Sequence, residues 1–483
     1  MAKQLCSVGL DVGTTTTQLI VSQLTVENRA SAFTVPEMTI AQRKILYQSP
    51  VHFTPLLDDR HVDGQRLRQM VEAEYQNAGI TRQSVDTGAI IITGESSRKE
   101  NARAVLTALS DLAGEFVVAT AGPDLESILA ARGAGAVEFS AKTGKTVLHM
   151  DIGGGTSNLA LIEDGKIIRT GCLNVGGRLI KLDGSKVTYV SPVLSGLTAL
   201  KPGDVVSENQ IAAIAEKLTA ALEMAAGLRP ADGLLEKLWT KEVIPNVIAS
   251  QSADWRGNPP DHREHLGRLP RPFGPRNDMV ISFSGGVADC IETVHPPFAF
   301  GDMGPMLGQA IRSSRLCQRE YMLGQHTIRA TVIGAGCHST QLSGSTVYHR
   351  NIQFPLKNLP VITLSAQEQK RPDWGKLLCS RFAAQDATAV LALEAEPGMD
   401  YPKISALADG LAECIPSGPV YVTAGQDLAK ALGQALALRL SPDRPVLCLD
   451  QVALKEGSYL DVGEPIGPAL PVVIKTLILS NQS

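Results

Sequence analysis

Two short segments carry residue types suited to handling an anion. Leu10-Asp11-Val12-Gly13-Thr14-Thr15-Thr16-Thr17-Gln18-Leu19 aligns without a gap on Met150-Asp151-Ile152-Gly153-Gly154-Gly155-Thr156-Ser157-Asn158-Leu159. The Asp, the Gly two residues after it, the third Thr and the final Leu are identical. Small Gly and Thr residues let backbone N–H groups approach an anion closely, and Thr hydroxyls add donors. A carboxylate at Asp11 or Asp151 would repel phosphate, by about 4 kcal/mol for unit charges about 4 Å apart at an effective dielectric near 20. Mg²⁺ resolves that conflict, because it is commonly shared between a carboxylate and substrate phosphates. Asp11 and Asp151 are therefore the candidate metal-side and catalytic acids. Gly13, Thr14, Thr15 and Thr16 form one candidate phosphate cradle, and Gly153, Gly154, Gly155 and Thr156 form the other. One such segment alone is weak; two with the same spacing and acid position argue for a nucleotide clamped between two related domains.

The elements that must hold these residues can be read around them. Each copy sits between two apolar runs, the pattern of a β-hairpin. Between the copies, Ala121 to Ala131 reads as a helix, with Pro123 suited to its first turn and Asp124 and Glu126 to its positive end. It ends in the small residues Gly133-Ala134-Gly135-Ala136, which suit close backbone packing at a domain crossing. Downstream, Met279 to Phe283 is a short apolar strand running into Ser284-Gly285-Gly286-Val287, where a flat base could lie on the backbone at Gly285 and Gly286. Val332-Ile333-Gly334-Ala335-Gly336 reads as another Gly-rich strand end, with Gly334 either bordering the base or closing the cleft. Two look-alikes fail. Thr143-Gly144-Lys145-Thr146 resembles the end of a P-loop, but Phe139 stands where its first Gly is needed. Leu460-Asp461-Val462-Gly463 repeats the first tetrapeptide, yet Glu464 and Pro465 follow, one repelling phosphate and the other lacking an N–H.

In this order the motifs resemble the actin, heat-shock chaperone and sugar-kinase ATPase superfamily. That resemblance implies an α/β fold of duplicated RNase-H-like, actin-like ATPase domains around a cleft holding ATP and Mg²⁺. It assigns Asp11 to the metal, Asp151 to the attacking water, and Glu126, with Asp124 as the alternative, to the inter-domain acid. Over nearly the full chain, Leu10 to Leu19, Ala121 to Ala136, Met150 to Asn158, Phe283 to Cys290 and Gly457 to Gly467 resemble the family of ethanolamine ammonia-lyase reactivating factors. The implied activity is ATP- and Mg²⁺-dependent release of damaged cobalamin from that lyase, so that intact adenosylcobalamin can enter. Cobalamin would be met only through the client. A small-molecule kinase and an actin-like scaffold ATPase on the same fold remain open alternatives.

Composition bounds the rest. At 483 residues, the chain has room for two to four domains. Its 45 basic against 49 acidic residues give a net charge of −4, without the basic excess of a non-specific nucleic-acid binder. No run reaches the roughly 18 apolar residues of a membrane span and no secretory signal is visible, so the expected location is cytoplasmic, in association with an ethanolamine-utilisation microcompartment. Eight cysteines without a close pair suggest reduced thiols. His262 and His265 fall in a charged, Pro-rich stretch that reads as a solvated loop. The expected organisation is a first ATPase domain over 1–145, a second over 146–345 with an insertion at about 201–275, and a C-terminal α/β region over 346–483. Within the insertion, Asp204 to Met224 reads as a helix. The arginines Arg256, Arg263, Arg268, Arg271 and Arg276 read as linker charges.

Overall fold

The computed structural model describes residues 3–13, 16–28, 38–57, 61–92, 109, 117–120, 123–240, 279–338, 340–344, 346–371, 373–383, 388–394, 399–415, 417–452, 454 and 458–476. Thr14, Thr15, His262, His265 and the five linker arginines lie outside them.

The repeat seen in sequence is a repeat of topology. In the first sheet, Lys3–Val12 and Thr16–Asn28 form an antiparallel hairpin and Met38–Gln48 extends it, while Thr87–Ile92 and Val117–Thr120 add in parallel on the other side. The second sheet repeats that order and those directions with Val147–Ile152, Ser157–Glu163, Lys166–Leu173, Val280–Ser284 and Tyr321–Leu323. Asp11 pairs with Gln18 in the first hairpin, and Asp151 with Asn158 in the second.

Strand alternation sends successive side chains to opposite faces. Val8, Leu10 and Val12 join Leu19 and Val21 on the outer face, against Leu67, Val71 and Tyr75 of the helix Gly64–Asn77. In the second sheet, Leu148, Met150 and Ile152 do the same against the helix Glu208–Ala225. Fully burying a Leu or Ile contributes about 1.5–3 kcal/mol, so a one-residue register slip would be strongly unfavourable. The inner faces, which carry Asp11 and Asp151, meet two crossing helices. Pro123–Gly133 packs on the second sheet, and Ala330–His338 returns to pack on the first. They cross with almost no side chain between them: a Cβ on Gly133 would stand 1.8 Å from Ala330 O, and one on Gly334 2.1 Å from Leu129 O.

That crossing corrects the reading of Val332 to Gly336 as a strand end; the segment is helical. Its apolar run is as compatible with a buried helix as with a strand, and periodicity cannot separate the two over so few residues. The Glu208–Ala225 helix begins one turn later than the Asp204 expected, at a Ser207–Gln210 capping box.

Among the described residues, the C-terminal unit is built on an eight-stranded sheet. Leu356–Leu364, Val390–Leu393, Val420–Ala424 and Val446–Asp450 run parallel in sequence order, with helices Trp374–Ala383, Tyr401–Cys414 and Ala429–Ala437 against one face. Ser458–Val462, the look-alike of the first hairpin strand, is an antiparallel member of this sheet. Ile466 and Leu342 pack with Leu5, Leu24 and Val26, docking the unit on the first domain. Cys379 and Cys414 form a disulfide between two of its helices, contrary to the expectation of thiols throughout. They are 35 residues apart, and only helix packing brings their Cα atoms to 4.6 Å.

Candidate functional site

Both hairpin turns close with the same hydrogen bond. Gly13 N–H donates to Thr16 O and Gly153 N–H donates to Thr156 O, each at 2.9 Å. The carbonyls around each turn are tied back into the protein. Thr54 Oγ1 donates to Gly13 O at 2.8 Å. At the second turn, Gly177 N–H donates to Gly153 O at 3.0 Å and Arg178 N–H to Gly154 O at 2.7 Å. Among the described residues, the N–H groups of Gly154 and Gly155 have no acceptor. Carbonyls held inward with N–H groups left outward is the polarity of an anion cradle. Behind it, Arg178 lies along Gly154 and pairs with buried Asp302, Nε to Oδ2 at 3.1 Å.

Asp151 is buried, and burial pushes its carboxyl up to about 6, against the opposing pull of hydrogen bonds from Ser284 and Thr331. Ser284 Oγ donates to Asp151 Oδ1 at 2.5 Å, and Thr331 Oγ1 reaches Oδ2 at 3.4 Å. His149, on the same face, has Nε2 3.0 Å from Ser284 Oγ and Nδ1 3.0 Å from Ser282 Oγ. Complete burial pushes this imidazole down to about 3, so it is neutral at neutral pH. Asp11 is half-buried at the matching place in the first sheet.

Two residues that sequence reasoning left out stand opposite these acids. Gln18 Nε2 donates to Ile328 O at 3.1 Å, and Asn158 Nδ2 donates to Glu126 Oε2 at 2.7 Å. Their other amide atoms, Gln18 Oε1 and Asn158 Oδ1, are buried without a hydrogen-bond partner among the described residues. A buried acceptor left unsatisfied costs about 1–3 kcal/mol, which a ligand or its water shell would offset. Each amide lies across its own hairpin from an aspartate, Gln18 from Asp11 and Asn158 from Asp151, and oxygen donors of these kinds fit Mg²⁺ with its water shell. Glu126 thus reaches the second hairpin from the crossing helix, whereas Asp124 accepts from Thr170 Oγ1 further along.

Of the remaining candidates, Gly285 makes the sharp turn after Val280–Ser284 at φ +86°, where a Cβ would stand 2.3 Å from Ile152 O. Gly286 is exposed beside Ile328. Gly334 is buried in the helix crossing against Leu129, which leaves it no face to offer a base and places it at the joint between the domains. Sequence pattern held a usable signal for Gln18 and Asn158, since both occupy the same place in the repeat. It held none for Ser282, Ser284 or Thr331, which meet His149 and Asp151 only through folding.

The profile of the ethanolamine utilisation protein EutA matches residues 3–480. The chain is 39% identical over 487 residues to the ethanolamine ammonia-lyase reactivase EutA of Salmonella typhimurium, covering 98% of each. It is 39% identical, with the same coverage, to the Escherichia coli protein of that name. Among solved structures it is similar to a PPX-GPPA enzyme of Aquifex aeolicus, with TM-score 0.38 and 11% identity over 69% of this chain and 99% of that one. Another is the ethanolamine utilisation protein EutJ of Carboxydothermus hydrogenoformans, with TM-score 0.32 and 17% identity over 69% and 89% of the two chains. No described helix is long and apolar enough to cross a membrane. Over essentially its whole length, the chain belongs to the EutA family of ethanolamine utilisation proteins.

Proposed function

We propose that the chain is an ATP-dependent reactivating chaperone for ethanolamine ammonia-lyase, releasing damaged cobalamin so that intact adenosylcobalamin binds. The observation that carries this reading is the full-length likeness to relatives named as reactivases of that lyase. The geometry supplies a means. Gly13, Thr14, Thr15 and Thr16 hold phosphates from one side; Gly153, Gly154, Gly155 and Thr156 hold them from the other, the latter through the outward N–H groups of Gly154 and Gly155. The adenine lies over Gly285 and Gly286, with the exposed face of Gly286 as its support. Mg²⁺, when bound, neutralises phosphate charge beside Asp11. The Asp151 carboxylate accepts a hydrogen bond from the attacking water and aligns it with the terminal phosphorus. Gln18 and Asn158 would offer their amide oxygens to the water shell of such a metal, and Glu126 holds Asn158 in place.

Hydrolysis here is a gating event. Phosphates gripped by both hairpins favour the closed arrangement of the two sheets, and loss of the terminal phosphate removes part of that grip. The crossing helices, packed backbone to backbone at Gly133 and Gly334, transmit the change as a rigid joint. Work on the client therefore occurs at the protein's surface, with no cobalamin site required in this chain.

The test is reactivation of the lyase after inactivation with cyanocobalamin. Adding this protein, ATP, Mg²⁺ and adenosylcobalamin is expected to restore activity, and omitting ATP to abolish the effect. Failure to restore activity, with uninactivated lyase active in parallel tubes, would overturn the proposal. Phosphorylation of ethanolamine by the protein alone would instead favour a kinase.

A further inference from the structure

We infer that Ser282, His149 and Ser284 form a directed hydrogen-bond relay that positions the Asp151 carboxylate, with Ser284 as its last and decisive member. The inference rests on the reading of Asp151 as the residue that aligns the attacking water.

The direction follows from counting protons. An ionised carboxylate only accepts, so Ser284 spends its single hydroxyl proton on Asp151 Oδ1. Ser284 Oγ then has only lone pairs for its other neighbour, so His149 Nε2 carries the imidazole proton and donates it at 3.0 Å. Both ring nitrogens face serine hydroxyls and, among the described residues, no carboxylate touches the ring, so Nδ1 accepts from Ser282 Oγ at 3.0 Å. The tautomer is thus set by the network. Ser282, His149 and Ser284 are each 0% exposed, so water cannot replace a missing link from the surface. Among the described residues, the only other side-chain contact to the carboxylate is Thr331 at 3.4 Å, at the outer limit of a hydrogen bond. Without Ser284, the Asp151 carboxylate keeps only that long contact to restrain its rotation among the described residues.

The fold itself does not demand this relay. Strand register places His149 beside Ser282 and Asp151 beside Ser284. At the matching positions of the first sheet, Gly9 lies beside Ala89 and Asp11 beside Ile91. The same architecture therefore stands with Gly, Ala and Ile in place of His, Ser and Ser. Three polar residues buried on one side of the repeat alone point to a task that one acid has and the other lacks.

The experiment compares full-length Ser284→Ala, Ser284→Thr and Asp151→Ala with wild type in ATP hydrolysis, ATP binding and imidazole ¹⁵N NMR. Wild type is expected to show His149 as a single Nε2–H tautomer. Ser284→Ala is expected to lower kcat about 10- to 100-fold, as misplacing a reacting group does, with ATP affinity within about 2-fold of wild type. It should also lose the single-tautomer signature, while Ser284→Thr retains the hydroxyl and most of kcat. Ser140→Ala removes an equally buried hydroxyl, which donates to Lys145 O and accepts from Gly165 N–H and touches neither His149 nor Asp151, and should leave the rate unchanged. Wild-type kcat in Ser284→Ala, alongside an inactive Asp151→Ala, would overturn the relay and leave Asp151 in its role. Wild-type kcat in Asp151→Ala would overturn both. An Nδ1–H tautomer in the wild-type spectrum would overturn the relay without any variant.

Discussion

The two hairpins share a register, a closing hydrogen bond and a leading aspartate, yet they are packed in opposite ways. Behind Asp11 the inner face is stripped. Gly9 lets the crossing helix approach until a Cβ there would stand 2.6 Å from both Val332 O and Gly336 N. Behind Asp151 the equivalent position is His149, and the neighbouring strand supplies Ser282, bonded to the imidazole, and Ser284, bonded to both the imidazole and the acid. One copy is packed as a joint; the other, on the proposed function, is the reaction centre. The residue two places before each Asp marks the difference: Gly9 admits a helix, and His149 bonds the serine that in turn bonds Asp151.

The sharpest way to break this contrast is to add a methyl group at the joint. Gly9→Ala has no room to relax, because its contacts are backbone atoms of a packed helix. A loss of about 3 kcal/mol or more is expected, with separation of the two domains' unfolding transitions, read by calorimetry. At the other hairpin, Gly176→Ala would set a Cβ 2.3 Å from Gly154 O. The cradle would be pushed outward with a smaller cost, about 1–3 kcal/mol, and a clear loss of nucleotide affinity in titration calorimetry. If Gly9→Ala leaves stability intact, the first copy is not a joint.

A subtler probe replaces an orphan acceptor. Gln18→Met keeps the length of the side chain and removes the unpaired buried Oε1 along with its partner amide. Stability without nucleotide is expected to hold within about 1 kcal/mol, since the donor bond lost is offset by relief of the orphan. Affinity for ATP with Mg²⁺ should fall several-fold, and affinity without the metal should change little. Equal losses in both conditions would remove Gln18 from the metal's surroundings.

The smallest effect lies away from the cleft and serves as a control. Burial, with the Asp427 carboxyl adding to it, raises Asp450 to about 7, against N–H donors from Leu428 and Ala429. A carboxyl with a folded pKa above its unfolded value favours the folded state most below about pH 4, and that contribution is lost as pH rises through about 7. Asp450→Asn, which still accepts both N–H bonds, should flatten the decline in stability between about pH 5 and 8 in denaturant melts. ATP hydrolysis should not change. An altered hydrolysis rate would tie the C-terminal unit to the cleft.

Much of the cleft was legible because its signals are local and repeated. The hairpins, the helix after Ala121 with its Pro123 start and Glu126, and the Gly285 turn all follow from neighbours in sequence. Gly334 was misread because a short apolar, Gly-rich run fits a strand or a buried helix equally well, and only its contact with Leu129 decides. The relay was invisible for a different reason. His149 and Ser282 are 133 residues apart, and nothing in either neighbourhood marks them as partners. The Cys379–Cys414 bond escaped in the same way.

The most direct test of the division of labour sets Asp11→Asn beside Asp151→Ala, measuring Mg-ATP affinity and single-turnover hydrolysis in both proteins. The account predicts that Asp11→Asn weakens Mg-ATP binding, whereas Asp151→Ala binds nearly as wild type and hydrolyses at least about 100-fold more slowly. Wild-type hydrolysis in Asp151→Ala, or the same loss of affinity in both variants, would contradict it.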